Sequence, residues 1–439
     1  MIRCTAAIAA LLALAGPTAS AGQALLSTWL GGRGEDRLVA AAVLTDGAII
    51  LAGVMPGTHL DLRDPDKRRT PRATPPDGIL VRLSPRAGRV MSVGRVQGPI
   101  GDMAVDDADG LFLTLAYGTS HFSPFFRCQW TARVGDEKAR IATGPDGASA
   151  VLSNGSVTLL DKFGHKALAW KVPAHHVEDI AVDPVRKLIF VTGYNNRTGR
   201  VPGQRTNPVQ VAFLYAYNAD GKRVWRAYDW RGQDLASRRL MADTRGYRLA
   251  MGADGKLYLA GESAGGNTLW ARQSQKLNAT LPLARGDAFQ SGHNTGANPI
   301  TFVGRFDPET GRCEAGTLLL ARLGNGKGNT IRPRALAADA QGVVYVGGLS
   351  ASHPPVSKRA FAGDFEGGGA FLSVFDHSFA RLYATKLCAG TTLAVAAGQG
   401  AVAVVGEGTE DLPGVRGLQP GVGGGTDGWV VVLPSKLGK

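Results

Sequence analysis

The sequence predicts an all-β fold, a seven-bladed β-propeller of four-stranded antiparallel blades, and three observations carry this. A unit of apolar strand, Asp-x-Gly-like turn and second apolar strand ending in Gly recurs along the chain. Between its copies lies another strand–turn–strand pair, so a full repeat holds four strands. The two ends of the chain each supply part of one remaining blade, as closure of a ring requires.

The recurring unit occurs at Leu38–Gly53, Asp102–Gly118, Arg140–Ser153, Asp179–Gly193, Arg248–Gly261, Ala335–Gly348 and Leu393–Gly406, which makes seven blades. Lettering strands A to D from the axis outwards, these are the A–B pairs. The C–D pairs lie between them, for example at Ile79–Val96, Val157–Val172, Val211–Trp230 and Thr301–Leu323. The segment Phe125–Val134 is cut short and predicts an irregular second blade. The fullest copy, Gly369–Glu407, reads as strands Ala370–Phe375, Leu382–Leu387, Leu393–Ala397 and Ala401–Val405. These are β-branched, aromatic and aliphatic runs bounded by turn residues. In ring order they are C, D, A and B, so the sequence repeat straddles two blades. Leu26–Leu30 reads as a D strand and Asp427–Leu433 as the C strand it joins.

Residues 1–21 have the form of a secretory signal peptide: Arg3, the apolar run Ala6–Ala15 and the Ala19-Ser20-Ala21 cleavage pattern. Residues 22–439 then form one propeller domain. No later stretch approaches the ~20 apolar residues of a membrane span, so no transmembrane segment is expected. The protein is expected to be exported, as a monomer, to the periplasm, cell surface or medium. Cys4 precedes the apolar run and cannot be a lipid-anchor cysteine. Cys128, Cys313 and Cys388 remain, an odd number without CxxC spacing. Cys313 and Cys388 either pair or are buried free thiols.

Formal net charge is +13, with no like-charged run resembling a nucleic-acid-binding arm. Export makes nucleic acid an unexpected partner; an acidic polysaccharide or a protein at the cell envelope fits a modest positive field.

The segments Leu26–Asp36 (LSTWLGGRGED), LIFVTG, VVYVGG, GGGAFLSVFD and GGGTDGWVVVLP resemble the bacterial SBBP-type β-propeller repeat. So do their approaches at Asp287–Gln290, Ala360-Phe361 and Gly417–Gln419. The resemblance spans the expected mature chain, and implies a propeller on secreted or envelope proteins without a shared catalytic motif.

The topology sorts loops by face. A–B and C–D turns are short; D–A and B–C connections hold the long segments Val54–Asp77, Asn195–Pro208, Arg231–Arg245, Ser263–Asn298, Ser350–Gly368 and Glu407–Thr426. Long loops on a rigid scaffold are where binding usually resides. On that face Asp102, Arg140, Asp179 and Arg248 occupy one register at the entry of four successive A strands, with Glu178 alongside. They read either as a charged-ligand or acid/base site or as ion pairs between blades.

Arg197, Arg200 and Arg205, then Arg231, Arg238, Arg239 and Arg245, then Lys327, Arg332 and Arg334 form a basic sector over blades 4 to 6, with Trp230 and Trp270 nearby. Guanidinium forks suit carboxylate or sulfate and indole faces suit sugars; the alternative is a solvated rim with structural tryptophans.

His59, His121, His175, His176, His293 and His353 also map to this face, without metal-ligand spacing. The Asp-Gly turns lack a calcium-loop pattern, GNGKGN lacks the ending of a phosphate cradle, and no nucleophile motif occurs. No metal or cofactor is expected. The segments ADGKRVW and KFGHKALAW resemble the turns of quinoprotein propellers, with Trp225 and Trp170 equally readable as packing residues. The sequence thus favours a binding scaffold, with a lyase, hydrolase or quinoprotein-like enzyme acting at the channel mouth as the alternative.

Overall fold

Burial follows strand position. The B strand Ile49–Val54 is buried along its whole length, and so are its counterparts Leu111–Leu115 and Leu257–Ser263. Sheets packed face to face leave such strands no solvated side, so they read as continuous apolar runs rather than alternating ones. A strands such as Arg37–Val43 are only half buried, because one face lines the central channel. The structure, a computed structural model, describes residues 24–32, 34–55, 78–284, 298–325, 327–354, 356–362, 367–414, 418–419 and 421–437. The signal-peptide segment lies outside the described residues.

Seven four-stranded antiparallel sheets form the ring. Blade 1 comprises Arg37–Val43, Ile49–Val54, Gly78–Leu83 and Val90–Val96. Blade 2 comprises Ile100–Val105, Leu111–Leu115, Gly118–Phe122 and Cys128–Ala132. Blade 3 comprises Arg140–Thr143, Ser149–Ser153, Ser156–Leu160 and Lys166–Lys171. In blade 4 they are His176–Asp183, Leu188–Arg200, Thr206–Tyr217 and Arg223–Tyr228. Blade 5 has Thr244–Met251, Leu257–Ser263, Ile300–Phe306 and Cys313–Leu319. Blade 6 has Ile331–Ala338, Val344–Ser350, Gly369–Phe375 and Arg381–Lys386.

Blade 7 joins Ala389–Gly398, Ala401–Glu410 and Asp427–Pro434 to the N-terminal strand Leu26–Leu30. That pairing runs from Leu26 opposite Val432 to Leu30 opposite Gly428, so the ends of the chain lock the ring. Each A strand packs on the next, and that of blade 7 packs on that of blade 1. The seven-bladed expectation is borne out.

Two details differ from expectation. Blade 2 is a complete sheet rather than an irregular one; its B–C hairpin is so tight that Leu115 pairs with Gly118. The expected loop Asn195–Pro208 is mostly strand, with Arg197 opposite Val209 and Arg200 opposite Thr206. Its polar residues hide a hairpin that overhangs the ring, and a short helix, Gly232–Ala236, packs on it.

Three successive blades are clasped on the outside by tryptophans. Trp130, Trp170 and Trp225, on the D strands of blades 2, 3 and 4, each lie on the C–D turn glycine of the following blade. A Cβ on Gly164, Gly221 or Gly311 would approach those rings to 2.6, 2.9 and 2.5 Å respectively, and all three glycines have positive φ. Trp130 and Trp225 also donate their indole N–H to the carbonyls of Lys162 (2.9 Å) and Pro308 (3.0 Å). Trp170 and Trp225 are therefore packing residues. Cys313 and Cys388 are both buried free thiols, and Cys128 is exposed.

Candidate functional site at the channel mouth

Six of the seven A strands carry a β-bulge near their start, where one residue is skipped in pairing with strand B: Val39, Gly101, Glu178, Tyr247, Arg334 and Leu393. A bulge bends a strand and re-aims its side chains, and here it gathers side chains at the rim. The residue that resumes pairing is Asp102, Asp179 and Arg248 in blades 2, 4 and 5, and the unbulged blade 3 places Arg140 there. Blades 1, 6 and 7 have Ala40, Ala335 and Ala394 in that register.

These charged residues reach across blade boundaries. Asp102 accepts the Ile141 N–H of blade 3 at 3.1 Å and lies 3.6 Å from Arg140. Asp179 accepts the Leu249 N–H of blade 5 at 2.8 Å, the same crossing two blades further on. Arg248 donates to the Arg334 carbonyl of blade 6 at 2.6 Å. Burial raises the Asp179 carboxyl pKa, against the pull of Arg248 and Arg140. Burial and then the neighbouring Arg140 push Arg248 down to about 10, still protonated at neutral pH. For Arg140 burial acts downwards, but Asp102, Asp179 and Glu178 outweigh it and the guanidinium is raised. Carboxylates held this way by backbone N–H groups and arginines are poorly placed to move protons for a substrate.

Beside this register lies a cluster that sequence reasoning missed. Glu262 on the B strand of blade 5 is 1% exposed. It pairs with Arg245 of its own blade and with Arg332 of blade 6, the latter at 3.0 Å. Arg245 also bonds to Gln210 and lies over the Tyr194 ring at 5.6 Å. Arg334 lies over the Tyr247 ring at 5.8 Å. Burial and then Glu262 push the Tyr247 phenol up to about 12, so it stays a neutral donor. A lone Glu inside an apolar B strand was the available signal, since a charge buried there demands partners.

The remaining basic sector divides in two. Arg197 is held by Asp229 at 2.9 Å and Arg231 by Asp234 at 3.0 Å. Arg238 bonds to Asn278 at 2.7 Å. Arg200, Arg205, Arg239 and Arg334 have no carboxylate partner among the described residues, although Arg200 donates to the Gln204 carbonyl. Loop contacts make the sector continuous: Gln233 and Arg200 bond to each other in both directions, at 3.1 and 3.2 Å.

Neither tryptophan offers a platform. Trp270 is 0% exposed, stacked on Phe302 at 4.5 Å, with its N–H on the Glu262 carbonyl; Trp230 packs into the same core. An indole beside a loop reads as accessible in sequence, but the 3-10 turn Leu269–Ala271 tucks Trp270 inward.

His121 is also displaced from its expected face. It lies on the C strand of blade 2 against Phe112, and a Cβ on Gly110 of the A–B turn would approach its Nε2 to 2.5 Å. His175 bonds to Asn195, while His59 and His293 lie outside the described residues. Among the described residues no three His, Cys, Asp or Glu side chains converge as a metal site. Across the ring, a cavity of about 790 Å³ over the seam of blades 7 and 1 is lined by Glu35, Asp36, Arg37 and Glu407 among others.

No family model matches the chain, and no curated protein matches it. Among solved structures it is similar to Kuenenia stuttgartiensis hydrazine synthase, with 9% identity and a TM-score of 0.50. That match covers 85% of this chain and 93% of the other. At such identity the likeness concerns the fold alone. No helix among the described residues is long and apolar enough to cross a membrane.

Proposed function

We propose that this chain is an exported, non-enzymatic binding scaffold whose long-loop face, over blades 4 to 6, takes an anionic glycan. One observation carries the reading. The carboxylates in this sector are spent fixing Arg197, Arg231, Arg245 and Arg332. Arg205, Arg239 and Arg334 remain without carboxylate partners among the described residues. Fixed guanidinium groups lose little freedom on meeting a carboxylate or sulfate, and the free ones supply field. Export rests on the signal-peptide pattern of residues 1–21. The enzyme alternative has less support, because Asp102 and Asp179 are already engaged across blade boundaries.

The test is retention on an immobilised acidic polysaccharide. The wild-type chain is expected to bind at low salt and to elute as salt screens the contact. Combined Arg205→Glu, Arg239→Glu and Arg334→Glu substitutions should abolish retention. Absence of wild-type retention at low salt refutes the glycan reading and leaves an acidic protein surface as the occupant to examine. Unchanged retention of the triple variant places the contact elsewhere.

A further inference from the structure

The extended hairpin of blade 4 and the helix Gly232–Ala236 border an open cleft of about 510 Å³ lined by Asn196, Arg197, Thr198, Pro208, Arg231, Gly232 and Gln233. That volume is within the ~300–1,000 Å³ of small-ligand sites. The two walls meet at backbone level: the Gly232 carbonyl occupies the place a Cβ on Gly199 would take, and the Thr198 carbonyl the place of one on Gly232. Strand alternation puts Arg197 on the same face as Gly199, towards the helix. Gln233 closes one end through its two bonds with Arg200.

Arg197 is presented rather than merely present. Its Nη2 is fixed by Asp229 at 2.9 Å, and Asp229 is itself held by Asn195 (2.9 Å) and by the Tyr215 hydroxyl (2.7 Å). The Arg197 Nε is buried and has no acceptor among the described residues. Arg231, at the start of the helix, has its side chain 85% exposed and gives Nε and Nη2 to Asp234 at 3.0 and 3.1 Å, which leaves Nη1 for a ligand. The exposed lining as a whole is more apolar than polar.

We propose that this cleft is the specificity subsite of the face and takes the carboxylate of a uronic-acid residue within an acidic glycan. The two guanidinium groups face the carboxylate, and the mainly apolar lining packs on the C–H face of the sugar ring. Sulfate esters share the charge but lack the planar, two-oxygen edge that a guanidinium fork matches. The inference rests on the binding reading above and adds to it which sugar chemistry is recognised.

The experiment is titration calorimetry of the full mature chain with tetragalacturonic acid, a neutral galactose tetrasaccharide and a sulfated tetrasaccharide. Binding is expected for the uronate, none for the neutral sugar, and weaker binding for the sulfated one. Arg197→Lys keeps the charge but removes the fork, and Arg231→Ala removes an exposed side chain without touching the fold. Each should weaken uronate binding roughly ten- to hundredfold, the size of a charge-assisted hydrogen bond. Both variants should also elute from the acidic polysaccharide column at lower salt than the wild type, with part of the retention kept because Arg205, Arg239 and Arg334 are intact. Column retention without uronate binding, or uronate binding unaffected by Arg231→Ala, overturns the subsite and leaves the broader reading standing. Loss of wild-type column retention refutes the broader reading itself.

Discussion

Substituting Gly311 by Ala separates two costs that usually come together. Gly311 sits at φ +72°, where an L side chain is strained by about 1–2 kcal/mol. Its Cβ would also approach Trp225 Cε3 to 2.5 Å, forcing the indole off the turn. Overpacking of that kind costs typically ~1–3 kcal/mol, so Gly311→Ala should destabilise by about 2–5 kcal/mol. For a 439-residue chain unfolding cooperatively, an unfolding entropy of about 2.1 cal/mol/K per residue converts ~3 kcal/mol into about 3 °C.

Gly155 supplies the control. It has the same φ of +72° and no atom of the described residues within 4 Å of the position an alanine Cβ would take, so Gly155→Ala should show the backbone cost alone. Urea unfolding followed by tryptophan fluorescence and circular dichroism measures both. In a Trp225→Ala background the Gly311→Ala penalty should fall to about 1–2 kcal/mol, the backbone cost alone. If Gly311→Ala costs no more than Gly155→Ala, or keeps its full cost without Trp225, the blades are not clasped by this contact.

Glu262→Gln removes the charge shared by Arg245 and Arg332. Those side chains are 24% and 40% exposed, so a loss of about 1–3 kcal/mol is expected in urea midpoint rather than the larger cost of a dry ion pair. The released arginines should also raise the salt needed for elution from an acidic polysaccharide. Asp102→Ala strands the Ile141 N–H and should cost ~1–3 kcal/mol; Asp102→Asn, whose amide oxygen still accepts it, should cost less, and equal losses would show that charge alone matters there.

Asp36 gives a pH prediction. It is 1% exposed with one carboxylate oxygen lacking a partner among the described residues, and burial, opposed by the Gly32 N–H but aided by Asp427, raises its pKa. A carboxyl raised in the folded state favours folding while protonated, and that contribution fades as pH rises through the folded pKa. Asp36→Asn should therefore gain Tm relative to wild type as pH rises above the ordinary carboxylate range. A difference independent of pH would refute this.

The legibility of the site varied with the physics behind each residue. The shared register of Asp102, Arg140, Asp179 and Arg248 was visible because strand spacing is periodic and the turns mark it. That Asp102 and Asp179 bind the next blade's backbone was not visible, since the partners Ile141 and Leu249 lie 39 and 70 residues away. Trp270 read as a sugar platform because sequence reports a residue's type and loop, not which way a short turn points it. Arg197 read as loop charge because strand extension beyond a blade depends on what packs over the exposed backbone, here the helix at Gly232.

Taken alone, the sequence determined the blade count, the antiparallel order and the clasp between Leu26–Leu30 and Asp427–Pro434. Those follow from local alternation and turn chemistry repeated often enough to define a ring. Only the tertiary structure decided which arginines are held and which are free. That depends on carboxylates such as Glu262, Asp229 and Asp234, and Glu262 serves Arg245 and Arg332 only because blades 5 and 6 meet at its side chain. Charge pairing acts through space over a few ångströms, whereas sequence periodicity orders the chain only along its length.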